Sequence, residues 1–148
     1  MIWIININSN LCRIYHYQKK PMQLTLMKEI QHPELRMKEE AMLTSDRPGH
    51  FHSSTTARGA FEPRTDPKEA EIDHFMRDVS KELTEGRVKN LYDHIIIIAP
   101  PHVMGLLTQH LDKHVKELVT NQIQKDLIYL KEHELLEFIK THAQYPDQ

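Results

Sequence analysis

The residues whose types and spacing suggest chemistry crowd into one stretch of the chain. Positions 44–67 read TSDRPGHFHSSTTARGAFEPRTDP. His50 and His52 form an HxH pair with Asp46 close by, a set of side-chain types that can ligate zinc. Two imidazoles do not define a metal site, however, and no cysteine accompanies them, so neither metal nor cofactor is expected. Arg47, Arg58 and Arg64 offer guanidinium forks that match phosphate oxygens. Phosphate contacts supply most sequence-independent affinity for nucleic acid. Phe51 and Phe61, interleaved with these bases, can stack on nucleobases. Asp46, Arg47, His50, His52, Arg58 and Arg64 are therefore the candidate binding residues, and RNA is the ligand class they suit.

Other pairs carry less. His110 and His114 lie four apart, a spacing that places two imidazoles on one helix face. Asp112 and Lys113 between them do not make the HExxH of a metalloprotease. Cys12 lies in an apolar strand-like run, with His16 on the same side about 13 Å away at strand rise. A reactive thiol needs a base and an electropositive setting, so Cys12 reads as a core residue. Ser45-Asp46-Arg47-Pro48-Gly49 is a tight-turn signature, with Pro48-Gly49 suited to a type II turn.

These residues must be positioned by regular elements. Residues 2–7 favour a strand, and Asn8-Ser9-Asn10 are turn formers. Residues 11–17 alternate, and residues 22–30 alternate again after a break at Lys19-Lys20-Pro21. The three runs read as an antiparallel meander. Residues 31–43 are polar, with room for a turn or two of helix before the long loop at 44–65. Asp66-Pro67-Lys68-Glu69 combines an N-cap residue, a proline for the first helical position and a glutamate able to reach back to the cap. Ile72, Phe75, Met76, Val79 and Leu83 then recur at helical spacing, with Gly86 as the expected stop. Ile95–Ile98 is apolar on both pleat faces, the mark of a central strand covered on both sides. Pro101 opens a helix with Val103, Leu106, Leu107 and Leu111 on one stripe. Residues 115–123 are expected to form another strand and 126–130 a connector. Leu135, Leu136, Phe138 and Ile139 mark a last helix, with a frayed tail beyond it.

This order, a βββ meander followed by αβαβα, gives an α/β fold: a three-layer mixed sheet of ribonuclease H-like topology. The 148 residues suit a single domain, 1–148, with the long loop at 44–65. The net charge is −2, so there is no global polybasic signature. The charge is uneven: nine Lys+Arg against six Asp+Glu in residues 1–65 give +3, and ten against fifteen in 66–148 give −5. A single cysteine permits no internal disulfide and fits a reducing cytoplasm. The apolar start lacks the positive region and cleavage site of a signal peptide. No run approaches the ~18 apolar residues of a membrane helix, so no membrane partner is expected.

Four segments together resemble a known family. SDRPG at 45–49, DPKEAEIDHF at 66–75, IIIIAPPHVMGLL at 95–107 and QKDLIYLKEHELLEFI at 124–139 are similar to the bacterial host attachment proteins, "protein required for attachment to host cells". The resemblance spans almost the whole chain, and the four segments in this order are specific where SDRPG alone is not. That family is similar to the middle domain of archaeal and eukaryotic peptide-chain release factors. The resemblance implies the same mixed-sheet fold. It also gives the long loop a counterpart, the segment that carries a Gly-Gly-Gln tip in true release factors. Here Gly49 and Gly59 stand apart and the loop holds no glutamine. No catalytic residue is carried over.

The expected function is thus a non-enzymatic, cytoplasmic binding protein that contacts RNA, the ribosome or a protein partner through the loop at 44–65. The alternative is a hydrolase of an RNA-linked or phosphate-bearing substrate, with His50 or His52 as general base. A homo-oligomer joined through a sheet edge is a third expectation, and exposed apolar residues on the first or third strand would favour it.

Overall fold

The computed structural model describes residues 1–33, 41 and 65–142. Nine elements lie in them: β1 Ile2–Ile7, β2 Leu11–Lys19, β3 Met22–Gln31, α1 Thr65–Val88, β4 His94–Ile98, α2 Pro101–His110, α3 Lys113–Glu117, β5 Val119–Ile123 and α4 Glu132–His142. The strands form one sheet in the order β3-β2-β1-β4-β5. β1–β2 and β2–β3 pair antiparallel, while β4 pairs parallel to β1 and β5 parallel to β4. The expected mixed sheet and its meander are both present.

The isoleucine run shows why the sheet has two covered faces. Ile95 and Ile97 join a core with Trp3, Ile5, Ile7, Cys12 and Ile14 beneath α1 and α2. Ile96 and Ile98 join a second core with Ile2, Ile4, Tyr15, Tyr17 and Leu24 beneath α4. Alternate side chains of a strand point to opposite faces, so an apolar residue at every position requires a layer on each side. The helical stripe of α1 behaves as its spacing demands: Phe75, Met76, Val79 and Leu83 are fully buried in the first core. Full burial of each such side chain stabilises the fold by about 1.5–3 kcal/mol. Leu135 and Ile139 of α4 play the same part in the second core.

Three local expectations are corrected. Gly86 does not end α1. The helix runs on to Val88 and closes at Asn90, which takes the left-handed conformation with φ 58. Asn90 N donates to Arg87 O at 2.9 Å and Leu91 N to Gly86 O at 2.9 Å, the paired bonds of a Schellman stop. Asparagine tolerates that backbone better than other non-glycine residues, so the chain ends the helix without a glycine. Second, residues 115–123 are not one strand. Asp112 Oδ1 accepts from Val115 N at 2.8 Å and caps the short helix α3, leaving only Val119–Ile123 as β5. Third, α1 begins at Thr65, one residue before the expected cap.

Candidate functional site at the carboxyl-end rim

β1, β4 and β5 are parallel to one another, and β3 runs the same way because two antiparallel steps separate it from β1. Their carboxyl ends therefore meet at one rim of the sheet. The β1–β2 turn at 8–10, the exit of β3 at His32, the Pro100-Pro101 entry to α2 and the connector at 124–131 all lie there. α1, which precedes β4, starts on this side. In open α/β sheets ligands bind outside the carboxyl ends of the strands.

The rim is held by polar bonds at each of these exits. Asn8 Oδ1 accepts from Asn10 N at 2.9 Å and from Leu11 N at 3.0 Å, fixing the β1–β2 turn. His32 N donates to Asn10 O at 2.9 Å, tying the exit of β3 to that turn. The buried His32 ring lies 5.2 Å from the Phe75 ring of α1, tilted by 49°. The exit of β3 is thus fixed both to the β1–β2 turn and to α1. On the α1–α2 side, His102 bonds Glu69, and His110 Nε2 lies 2.9 Å from Asp73 Oδ1. The hydrogen bond to His110, ahead of its charge and that of Arg77, holds the Asp73 carboxyl below the usual range.

On the α4 side two sheet residues reach out to the connector. Asn6 Nδ2 donates to Leu127 O at 3.1 Å and Arg13 Nη1 to Ile128 O at 2.8 Å. The two are directly opposed on β1 and β2. Arg13 Nε also donates to Glu29 Oε2 at 2.8 Å, and that bond raises the guanidinium pKa further. Asn6 is wholly buried, and its Oδ1 has no hydrogen-bond partner among the described residues. Burial raises the nearby Tyr15 phenol.

The candidate binding residues Asp46, Arg47, His50, His52, Arg58 and Arg64 lie outside the described residues, as does the long loop at 44–65 apart from Thr65. His110 and His114 do not share a helix face: His110 ends α2 against Asp73, and His114 lies on α3. Cys12 is buried in the first core, and burial pushes its thiol well up, out of reach of thiolate chemistry at neutral pH. Among the described residues no three His, Cys, Asp or Glu side chains gather as a metal site. A groove of about 240 Å³ lies between β3 and the second half of α1, lined by Trp3, Ile14, Met27, Gly86 and Leu91 among others. Trp3 sits near the amino end of β1, so this groove faces away from the rim. Sequence reasoning missed the Asn6, Arg13 and histidine–carboxylate contacts, which join residues 33 to 121 apart. The i,i+4 series Glu69, Asp73, Arg77 was their one local sign.

Residues 3–139 match the family model described as "Protein required for attachment to host cells". The chain belongs to this family. An uncharacterised protein of Rickettsia prowazekii (strain Madrid E), RP470, is 33% identical over 111 residues, covering 74% of this chain and 68% of its relative. The fold is similar to that of an archaeal translation termination factor, aRF1, with a TM-score of 0.55 at 15% identity. That match covers 95% of this chain and 35% of the factor's. The topology is that of the release-factor middle domain, as the resemblance implied. Among the described residues no helix is long and apolar enough to cross a membrane.

Proposed function

We propose that this host attachment protein is a non-enzymatic, cytoplasmic binding protein. Its carboxyl-end rim, with the segment at 44–65, contacts RNA of the ribosome. The observation that supports this reading is where the described chain leaves the sheet: His32, at the exit of β3, is bonded to Asn10 at the rim, and α1 starts on the same side. Ligands of open α/β sheets are bound at such a rim. Three arginines and two phenylalanines in the segment supply phosphate and base contacts. The likeness in fold to a translation termination factor supports the ribosome as the partner. With no Gly-Gly-Gln in the segment, the reading is binding without peptidyl-tRNA hydrolysis.

The test is co-sedimentation with ribosomes at two salt concentrations. Wild type is expected to pellet with ribosomes at low salt and to be released as salt rises, because phosphate contacts release counterions. Arg47→Ala/Arg58→Ala/Arg64→Ala is expected to lose the binding. Failure of wild type to pellet at low salt would overturn the reading.

A second reading, pairing of β3 with a strand of another chain, is favoured by one observation. β3 is an edge of the sheet, and Met22, Leu26 and Met27 on it are exposed. Exposed apolar edges are sites of strand addition.

A further inference from the structure

We propose that two copies of this chain pair antiparallel through β3, about a two-fold axis at Leu24, joining their five-stranded sheets into one. This rests on the second reading above, strand addition at β3, and names its partner, register and symmetry.

The strand brackets its own pairing window. β3 bonds β2 on one side, and among the described residues no strand bonds its other side. In an antiparallel ladder alternate residues turn their N–H and C=O to opposite neighbours, so every second residue of β3 turns them to the open edge. Pro21, just before the strand, has no N–H to donate. Met27 is the extra residue where the ladder with β2 slips, and a bulge of this kind bends the strand. Between these two brackets only 22–26 is regular, and Leu24 is its midpoint.

A two-fold at Leu24 pairs that window with itself. Met22 opposes the partner's Leu26, Gln23 the partner's Thr25, and Leu24 the partner's Leu24. Opposed residues are both odd-numbered or both even-numbered. The backbone groups that one copy turns outward therefore face those of the other, and the ladder continues across the axis.

The side chains fit the same register. Leu24 and Leu26 oppose Tyr17 and Tyr15, which belong to the second core. Met22 shares their face by alternation. Leu24 is buried, but Met22 is 41% and Leu26 43% exposed. The second core thus ends in an apolar margin on each side of Leu24. Pairing lays each Met22 beside the partner's Leu26, and the margin is covered by its own copy. On the opposite face the exposed Gln23 and Thr25 meet as neutral polar pairs.

The charges select a second copy as the occupant. Residues 22–26 carry none, while Lys19 and Lys20 precede them and Lys28 and Glu29 follow. The two-fold brings the leading end of one strand to the trailing end of the other. Lys28 is bonded to Glu82 at 2.9 Å and Glu29 to Arg13 at 2.8 Å. The partner's lysines therefore meet a balanced set of charges. A two-fold contact uses one patch twice, the commonest arrangement in homo-oligomers. So short a paired window falls below the ~1,200 Å² of a stable interface. The dimer is accordingly weak, and it forms reversibly as concentration rises.

The experiment joins sedimentation velocity of wild type, from micromolar to millimolar concentration, with oxidative cross-linking of Met22→Cys and Leu26→Cys. Both substitutions are at exposed positions, circular dichroism confirms that each variant is folded, and the buried Cys12 stays out of the reaction. Wild type is expected to self-associate, and a mixture of the two variants to link into dimers, because position 22 of one copy opposes position 26 of the other. Each variant alone is expected to link at least about tenfold more slowly, since position 22 lies about 13 Å along the strand from the partner's own position 22. Self-association in which the mixture links no faster than the separate variants would overturn the two-fold at Leu24. Wild type that stays monomeric would overturn the dimer altogether. A protein captured from cell extract by wild type and not by Leu26→Lys would then leave the second reading standing, with a different chain as the added strand. A monomeric wild type without such a capture would remove both.

Discussion

At the scale of single residues, two glycines in helices show how little residue type alone decides. Gly86 in α1 lies against the indole of Trp3. A Cβ there would meet Trp3 Cη2 at 2.6 Å, Trp3 Cζ3 at 2.9 Å and Tyr92 Cε2 at 3.0 Å. The Trp3 and Tyr92 rings are buried with centres 4.7 Å apart. The Tyr92 hydroxyl donates to Leu83 O at 2.6 Å, and burial pushes its pKa up to about 12. Neither ring can swing aside. Gly105 in α2, by contrast, has nothing within 4 Å of the same point. Alanine in a helix gains about 1 kcal/mol over glycine, while overpacking a core costs about 1–3 kcal/mol. Gly86→Ala is therefore expected to destabilise the protein by up to about 2 kcal/mol, the overpacking outweighing the helical gain. Gly105→Ala is expected to stabilise it by about 0.5–1 kcal/mol. Urea unfolding of both variants checks the pair. Equal shifts of the same sign would mean that the close approach of Trp3 carries no energetic weight.

At the scale of elements, β3 is the least settled part of the sheet. Its register with β2 slips between Ile14 and Tyr15, whose partners are Lys28 and Leu26, so Met27 is an extra residue in the strand. Met27 is 56% and Leu26 43% exposed. A bulge discourages edge-to-edge pairing, but Met22–Leu26 before it is regular and apolar enough to invite a partner strand. If the second reading holds, wild type self-associates at high concentration and Leu26→Lys returns it to a monomer by light scattering. A monomeric wild type at every concentration would leave β3 without a role in self-pairing. The elements were legible wherever one pattern dominated. The α1 stripe, the isoleucine strand and the three-strand meander were all readable, because burial on a fixed face leaves a period in the sequence. The expected strand at 115–123 failed because Val115 is buried whether its segment is strand or helix, and the Asp112 cap decides between them. The Gly86 stop failed because that glycine answers to Trp3, 83 positions away. Of the site, the rim was not read from the sequence, because it depends on a strand order and direction that only the pairing shows. The Asn6–Leu127 and Arg13–Ile128 bonds that shape it leave no local period to read. The residues singled out between 46 and 64 lie outside the described residues, and ribosome binding by their variants is what tests them.

At the scale of the whole molecule, the open question is whether residues 1–148 unfold as one unit. The two cores share a single sheet, with Ile95 and Ile97 serving one and Ile96 and Ile98 the other. Opening either face should therefore expose the same strands. Cys12 reports on this. It has no exposed surface, and burial, followed by the charge of Glu82, raises its thiol pKa. It lies on β2, between the edge strand and β1. A thiol in that place reacts only after the sheet parts from α1, and only once exposed does it regain its ordinary thiolate fraction. When reclosing outpaces labelling, the labelling rate follows the free energy of the opening that exposes the thiol. In a single cooperative domain that free energy equals the global unfolding free energy, measured independently with urea. Gly86→Ala, acting on the same face of the sheet, should then accelerate Cys12 labelling by the factor its stability loss dictates. That is about tenfold for 1.4 kcal/mol, since each such step is tenfold in an equilibrium. Labelling much faster than global unfolding allows would show that β3 and its neighbours open separately. β2 and β3 would then form a less stable unit than β1, β4 and α1.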